Sequence, residues 1–336
     1  MANVAMWGKA LRTIPRLNKE EWQQLDLISK WLISTRAAVF IMTVISGMIG
    51  GLLAFYNGQF LVGNFIVAVI GLVFAHASNN LINDLIDHHK GIDKDNYYRS
   101  LYGPQPLEHG YMSKSKFNTY IAFTLGIALL SGIYLILNSG PLTIYLLGAG
   151  LFFVIFYTWP LKYIGLGEPA VILVWGPLMI GGTYYVTTGN QWSWDVVGIA
   201  MAYALGPTTV LFGKHTDKLR EDKKKKVYTL PVILGEKFSR YSTIGLWIAQ
   251  YLIIGYLVWQ GAFGIPVLLI LLALPKLVWA MKIFGKPRPT EEPEELEKGV
   301  WPLYLSAHAF QYNRKFSLLF LLGLIVDLIL NKTGVL

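Results

Sequence analysis

The sequence predicts an all-α membrane protein with nine transmembrane helices, and its composition and hydropathy pattern support that prediction. Of its 336 residues, 54% are hydrophobic and only 15% are charged, which leaves too little polar surface for a soluble chain of this length. The mean hydropathy is +0.45. The apolar residues form separate runs, most of which approach the roughly 20 residues needed to cross a bilayer core. The predicted spans are residues 37–56, 60–83, 117–137, 141–160, 166–187, 195–213, 241–260, 263–283 and 315–331.

Basic residues divide the loops between these spans into two groups. Lys and Arg are absent from the loops at 57–59, 138–140, 188–194 and 261–262. All the Lys and Arg residues that lie between spans are in the loops at 84–116, 161–165, 214–240 and 284–314. The positive-inside rule therefore predicts an integral protein of the inner or plasma membrane with a cytoplasmic N-terminus, cytoplasmic active-site loops and an external C-terminus. The net charge of +9 then reflects orientation in the lipid bilayer and anionic ligands, and no nucleic acid is expected as a partner.

Residues 1–35 are predicted to form a cytoplasmic segment ahead of a single transmembrane domain, residues 36–333. Lys19–Ser34 carries apolar residues at helical spacing, which is typical of a helix that lies at the membrane surface. Residues 1–18 are equally compatible with a flexible tail. Cys is absent, which excludes disulfides, zinc–thiolate sites and iron–sulfur clusters.

A polar stretch, Ser78–Asp93 (SNNLINDLIDHHKGID), ends the second predicted span. In a helix its amides and carboxylates at i, i+3, i+4 and i+7 share one face. Carboxylates at the end of a membrane helix are costly, so a functional role is the default. Oxygen ligands without Cys favour Mg²⁺, which binds together with substrate phosphates. The alternative is an ordinary solvated helix end.

A second acidic stretch, Gly213–Gly235 (GKHTDKLREDKKKKVYTLPVILG), follows the sixth predicted span. Asp217 and Glu221 are four residues apart, so at least two carboxylates can face one volume. Two facing carboxylate clusters can hold a pair of Mg²⁺ ions that neutralise a diphosphate leaving group. The run Lys223–Lys226 and the acidic loop 284–299 are predicted to be solvated.

Together these motifs resemble those of the UbiA superfamily of intramembrane prenyltransferases. The first family motif is similar to Asn83-Asp84-x-x-Asp87 with the downstream Asp93, and its Gly91 spacing is similar to the MenA-type, 1,4-dihydroxy-2-naphthoate branch. The second family motif resembles Asp217 and Asp222 followed by Thr-Leu-Pro-Val-Ile-Leu-Gly. Here the two Asp residues are one residue further apart than usual, and Glu221 stands at the expected position. Which of Glu221 and Asp222 binds metal is therefore open.

The resemblance implies an Mg²⁺-dependent enzyme that transfers an isoprenyl group from an isoprenyl diphosphate to an aromatic acceptor. The MenA-type features imply 1,4-dihydroxy-2-naphthoate as acceptor and a place in menaquinone biosynthesis. Other acceptors in the superfamily are 4-hydroxybenzoate, a chlorophyllide, haem or a glycerol ether lipid. From a different class, an ion-coupled transporter also uses buried carboxylates, but it holds them near the membrane midplane rather than at one face.

Three groups of site residues follow from the resemblance and from the needs of the reaction. The expected metal ligands are Asn83, Asp84, Asp87, Asp93, Asp217, Glu221 and Asp222. The expected catalytic residues, which would hold the diphosphate or face the allylic cation, are Lys162, Arg220 and Tyr157. The expected substrate contacts are Asn80, Arg99, His215, Lys218, Tyr184 and Tyr185. For the tyrosines, helix packing or interfacial anchoring is an equal alternative.

Overall fold

The computed structural model describes residues 2–94, 98, 104–298 and 300–332, and the described chain is helical throughout, with no strand. Short 3₁₀ turns lie at Ala37–Val39 and Leu161–Tyr163, a π-helical segment lies at Val174–Gly181, and a longer 3₁₀ segment lies at Ile265–Ala273. The helices are α1 Val4–Ala10, α2 Lys19–Gln24, α3 Leu27–Ser34, α4 Phe40–Tyr56, α5 Val62–His89, α6 Lys114–Asn138, α7 Leu142–Phe156, α8 Gly167–Leu173, α9 Gly182–Thr188, α10 Trp194–Asp217, α11 Leu219–Lys224, α12 Leu230–Leu234, α13 Glu236–Trp259, α14 Leu274–Phe284 and α15 Tyr304–Lys332.

The predicted all-α membrane fold is confirmed, and each of the nine predicted spans overlaps a helix. In the described part of the chain, seven helical segments are long and apolar enough to cross a membrane: Ala37–Tyr56, Val62–His89, Lys114–Asn138, Gly167–Thr188, Trp194–Asp217, Glu236–Trp259 and Ile265–Phe284. The helix α7 has only 15 residues, and α15 has 29 but lies outside these seven. A count of nine spans therefore stays a prediction.

The two groups of loops lie at opposite ends of the bundle. At one end Gly140 donates to the carbonyl of Gly189 over 2.7 Å, which joins two loops without basic residues. At the other end Ile164 and Tyr228 form a backbone bridge between two basic loops. All the motifs singled out above therefore belong to one end, which we call the polar end.

Close contacts between small residues bring the central helices together. A Cβ on Gly50 of α4 would lie 2.6 Å from the carbonyl oxygen of Ile180, so only glycine allows this approach. Gly176 packs in the same way against Ala200 of α10. Small residues at such crossings let membrane helices gain van der Waals contact. Pro177 lies inside the π-helical segment, where its missing N–H interrupts the regular α-helical bonding.

The N-terminal segment is folded against the bundle, so the flexible-tail alternative is wrong for the described residues. Trp7 Nε1 donates to Asp26 Oδ1 over 3.0 Å, and Trp22 is almost completely buried. Asp26 also caps α3 by accepting from the backbone N–H of Ser29. Trp31 Nε1 donates to Thr124 Oγ1 over 2.9 Å, which fastens α3 to α6. The three short helices therefore extend the wall of the bundle at its polar end.

Candidate active site

A cavity of about 550 Å³ runs between α5, α6, α7, α10 and the Gly167–Thr188 segment. Its walls are apolar along most of their length. Its polar end carries the side chains of Arg36, His76, Asn79, Asn80, Asn83, Asp87, Asp93, Tyr157, Lys162, Lys214, His215, Lys218 and Asp222. One chamber therefore joins a charged compartment to a long apolar groove.

The first motif is held in place by the end of α7 and the turn that follows it. Lys162 Nζ lies 2.9 Å from both carboxylate oxygens of Asp87, and both side chains are buried. One turn earlier on α5, Asn83 Nδ2 donates to Thr158 Oγ1 over 3.1 Å. With its amide nitrogen engaged by Thr158, Asn83 keeps its amide oxygen as an acceptor. Asn83 and Asp87 thus present oxygen atoms to the cavity from adjacent turns of one helix.

The structure separates Asp84 from these two residues, so its expected role as a metal ligand is not supported. Asp84 does not line the cavity and forms an ion pair with Arg36. Asn80 donates through Nδ2 to the carbonyl of Thr35 over 2.8 Å, and Arg36 Nη1 lies 3.5 Å from its Oδ1. One residue of helix rotates a side chain by about 100°, which is why Asp84 cannot follow Asn83 into the cavity.

Asp93 reaches the cavity from the turn after α5. Gly91 at φ +65° makes this turn, and the N–H of Ile92 returns to the carbonyl of Asp87 over 2.8 Å. Lys225 Nζ donates to the carbonyls of Gly91 and Ile92 over 3.1 and 2.6 Å. The prediction that the whole Lys223–Lys226 run is solvated was therefore wrong for Lys225, which ties the second motif to the first.

In the second motif, the residues at 214, 215, 218 and 222 face the cavity. Lys214, Lys218 and Asp222 are four residues apart and His215 is three before Lys218, so all four lie on one stripe across the end of α10 and the start of α11. Lys218 Nζ lies 3.1 Å from Asp222 Oδ1, and both side chains are largely buried. Of the two metal ligands left open by the sequence, Asp222 lines the cavity and Glu221 does not.

Asp217 points away from the cavity, which corrects its expected role as a metal ligand. Its carboxylate is fully buried and accepts from Arg288 Nε over 2.9 Å and from the N–H groups of Leu305 and Ser306 over 3.0 Å each. The Arg288 guanidinium also lies 4.4 Å from the centre of the Trp301 ring. Asp217 therefore anchors the loop before α15 and the first turn of that helix. The loop 284–299, predicted to be solvated, supplies its partner.

Arg220 and the two tyrosines of the fifth span are also outside the cavity. Arg220 is exposed on α11. Tyr184 accepts a hydrogen bond from Asn57, and the hydroxyl of Tyr185 accepts from the N–H of Leu142 over 3.3 Å. Both contacts lie at the end of the bundle opposite the motifs, where the tyrosines pack between helices. Arg99 lies outside the described residues.

His215 of the cavity wall has a buried partner, Glu168 of α8, which the sequence analysis missed. His215 Nδ1 and Glu168 Oε1 are 2.6 Å apart, and both side chains are almost fully buried. Holding Nδ1 in this way fixes the imidazole orientation and leaves Nε2 as the nitrogen for a ligand. A glutamate in the first turn of a predicted membrane span was the available signal, because such a carboxylate needs a partner.

The α5 side of the polar end offers the donor set that Mg²⁺ prefers. Asn83, Asp87 and Asp93 supply amide and carboxylate oxygens. Among the residues that the structure describes, no three His, Asp or Glu side chains converge closely enough to hold a metal ion by themselves. Since Mg²⁺ keeps waters and shares phosphate oxygens with a substrate, the α5 residues fit an ion completed by its ligand. The α10–α11 side does not fit such an ion, because two of its four cavity-facing residues are lysines.

A helical bundle whose apolar groove ends in carboxylates, amides and lysines defines an intramembrane enzyme for amphiphilic substrates with an anionic head. The chain belongs to the UbiA prenyltransferase family, which matches residues 41–296. It is therefore a prenyltransferase and an integral membrane protein, as the motifs predicted. The family assignment also decides against the ion-coupled transporter.

Known relatives cover most of this chain at modest identity. The 2-carboxy-1,4-naphthoquinone phytyltransferase of Synechocystis is 25% identical over 277 residues, which are 79% of this chain and 85% of the relative. The 1,4-dihydroxy-2-naphthoate octaprenyltransferase of Escherichia coli is 26% identical, over 65% of this chain and 72% of that protein. The digeranylgeranylglyceryl phosphate synthase of Haloquadratum walsbyi is also 26% identical, over 83% and 94%.

A solved UbiA homologue from Archaeoglobus fulgidus, bound to DMAPP and Mg²⁺, has the same fold. The two structures superimpose with a TM-score of 0.55 over 87% of this chain and 99% of that chain, at 16% sequence identity. At this identity the likeness concerns the fold alone.

Proposed function

We propose that this enzyme transfers an isoprenyl group from an isoprenyl diphosphate to an aromatic acceptor, and that the acceptor is 1,4-dihydroxy-2-naphthoate. The observation that carries the proposal is the single chamber in which the Asp87–Lys162 end continues into an apolar groove. An acceptor of the naphthoquinone type is supported by the names of the Synechocystis and Escherichia coli relatives. The archaeal relative makes a glycerol ether lipid the alternative to be tested.

The groove suits a long apolar chain. Its lining extends along α5 from Asp87 back to Ala68, which is 19 residues or about 28 Å at the rise of a helix. On its outer side the groove is lined by partly exposed apolar residues of α6 and α7, among them Leu129, Ile133 and Ile144. A tail that extends past these residues would lie against bilayer lipid, which explains why the reaction is carried out inside a membrane.

The diphosphate would bind at the polar end, where Lys162 is the cation that contacts Asp87. Its ammonium group can donate to phosphate oxygens in charge-assisted hydrogen bonds. When Mg²⁺ is bound by Asn83, Asp87 and Asp93, it would neutralise the diphosphate and stabilise it as a leaving group. The ring of Tyr157, which also lines the cavity, would face the allylic carbon and help to exclude water.

The acceptor would bind beside His215. With Nδ1 held by Glu168, the Nε2 atom would receive the proton of an acceptor hydroxyl while the ring carbon forms its bond to the allylic carbon. The electron pair of the broken carbon–oxygen bond leaves with the diphosphate. The substituted ring carbon then loses its carboxyl group as CO₂ while the proton returns to the ring oxygen, which restores the aromatic ring as a prenylated naphthoquinol. Sequence reasoning placed His215 among the substrate contacts, and its partner Glu168 supports that role.

The orientation in the membrane is part of the proposal. We infer that the polar end, the N-terminus and the basic loops lie in the cytoplasm and that the C-terminus lies outside. Because the chain contains no Cys, single cysteines can be introduced at Lys224 and Gln260 without a background. A membrane-impermeant thiol reagent added to intact cells should label the second variant and not the first, and the reverse pattern would overturn the orientation.

The activity is tested on purified protein in detergent with geranylgeranyl diphosphate, Mg²⁺ and 1,4-dihydroxy-2-naphthoate. We expect a prenylated naphthoquinol, or the naphthoquinone that air oxidation makes from it, by mass spectrometry, and its loss with EDTA and in Asp87→Ala. Lys223→Ala, an exposed lysine outside the cavity, is the control and should retain activity. Product from a glycerol ether acceptor in place of the naphthoate would overturn the acceptor assignment. Absence of product with every acceptor, in protein that binds no diphosphate, would overturn the reaction.

A further inference from the structure

We infer that this enzyme binds the diphosphate with one divalent ion on the α5 side, and that Lys214 and Lys218 take the place of a second ion on the α10–α11 side. The inference rests on the proposed function and concerns how the same substrate is held. It departs from the pair of Mg²⁺ ions that two acidic motifs predict.

The stripe of α10 and α11 that faces the cavity is built for an anion. Of its residues at 214, 215, 218 and 222, two are lysines, one is a histidine and only Asp222 is a carboxylate. That carboxylate is already paired with Lys218 at 3.1 Å. Mg²⁺ needs several oxygen ligands in a near-octahedral arrangement. This stripe offers one carboxylate beside two lysines, whereas the α5 side offers Asn83, Asp87 and Asp93 beside Lys162.

Of the other two carboxylates of the second motif, Asp217 cannot complete a metal site without breaking the fold. Asp217 accepts from Arg288 and from two backbone N–H groups at the start of α15. It is one residue, and hence about 100° of helix rotation, away from Lys218. To face the cavity it would have to leave all three donors unpaired in a buried place, while Glu221 does not line the cavity either.

Lysine ammonium groups can supply the positive charge that a second Mg²⁺ ion would supply. Lys162, Lys214 and Lys218 all line the polar end. Lys162 contacts Asp87 of the first motif, and the other two lie at the end of α10. Lysine is a compact point charge with three donors and is a common phosphate ligand. Asp222 holds the ammonium of Lys218 at the cavity wall, so the charge is positioned before the substrate arrives. A diphosphate would then lie between one ion on α5 and these lysines.

The number of ions is measured with Mn²⁺ and a slowly ionising analogue, geranylgeranyl thiolodiphosphate, in which sulfur replaces the bridging oxygen. Electron paramagnetic resonance counts the Mn²⁺ bound per chain when the analogue is saturating. We expect one ion for the wild-type protein and none for Asp87→Asn. Two ions per chain would overturn the inference while leaving the proposed function intact. An analogue that does not bind at all, with or without Mn²⁺, would overturn the proposed function as well.

Affinity for the analogue is then measured in lysine variants. Lys214→Met and Lys218→Met should each weaken binding by about 10- to 100-fold, since each removes a charge-assisted hydrogen bond, while the count stays at one Mn²⁺. Lys223→Met, which is exposed, is the matched control and should bind like wild type.

Lys218→Met leaves Asp222 without its partner, so a loss of folding has to be separated from a loss of binding. In the double variant Lys218→Met/Asp222→Asn no buried charge is left alone. We expect it to keep the wild-type thermal transition and still to bind the analogue weakly. Wild-type affinity in this double variant would refute the role of Lys218.

Discussion

The anchor at Asp217 makes a prediction that separates a structural carboxylate from a metal ligand. In Arg288→Ala the fully buried carboxylate loses its charged partner, and removing one member of a buried pair typically costs about 3–5 kcal/mol. Two backbone N–H donors remain, so we expect the lower part of that range, about 3 kcal/mol of unfolding free energy. For a chain of this size such a loss lowers the Tm by roughly 4 °C.

The assay is a double-mutant cycle in detergent, read by thermal unfolding and by Mn²⁺ binding in parallel. Arg288→Ala and Asp217→Asn are each expected to lower the Tm. The double variant should be less destabilised than the two single effects added together, by about 2 kcal/mol, because the two side chains share one interaction. Mn²⁺ binding with the diphosphate analogue should persist in every variant that stays folded.

Two results would refute this reasoning. Asp217→Asn with an unchanged Tm and no Mn²⁺ binding would mean that the carboxylate binds metal and that Arg288 is not its essential partner. Strict additivity in the cycle would mean that Arg288 and Asp217 do not depend on each other.

Three further predictions concern the groove, the acceptor site and the N-terminal segment. A Cβ on Gly148 meets nothing within 4 Å, and this residue lines the groove ten residues before Thr158. Gly148→Leu should therefore block the groove about 15 Å from the polar end. Its kcat/KM should fall about tenfold or more for geranylgeranyl diphosphate and much less for the shorter geranyl diphosphate, whereas equal losses would contradict a groove for the tail. Glu168→Gln should lower kcat about 100-fold through His215 with little change in the affinity for the diphosphate analogue, and a parallel loss of that affinity would argue against a role at the acceptor. Burial raises the pKa of Asp26, but hydrogen bonds from Ser29, Trp7 and Asn3 outweigh this effect and hold the pKa below its ordinary value of 3.8. Since the folded state then binds its proton less readily than the unfolded state, this stabilisation is complete above about pH 4 and is lost as the pH falls further. Asp26→Ala should cost about 1 kcal/mol at pH 7, and the difference in Tm from the wild type should shrink on acidification, so a constant difference would contradict the assignment.

The helices could be predicted from the sequence because each needs only a long apolar run, and all nine runs became helices. Their ends were less predictable. The last helix begins at Tyr304, eleven residues before the predicted apolar span, and Asp217 accepts from the N–H groups of its first turn. That contact joins residues 88 positions apart, and no local pattern records it.

The residue types of the site could be predicted from the sequence, but which of these residues face the cavity could not. Periodicity placed Asn83, Asp84 and Asp87 on one side of a helix, yet only the first and last enter the cavity. Arg36 forms an ion pair with Asp84, and Arg288 forms one with Asp217, and neither carboxylate lines the cavity. Whether one of these carboxylates lines the cavity therefore depends on cations that are distant in the sequence.

Arg36 makes the three N-terminal helices part of the polar end. Thr35 and Arg36 follow directly on α3, and together they grip Asn80 and Asp84 of the first motif. A chain shortened to begin after residue 36 would remove these contacts of Asn80 and Asp84 from the polar end. A fusion or a lipid contact that separates α3 from the bundle would remove the same contacts. Packing of the N-terminal helices against the bundle is therefore coupled to the arrangement of Asn80 and Asp84 at the polar end.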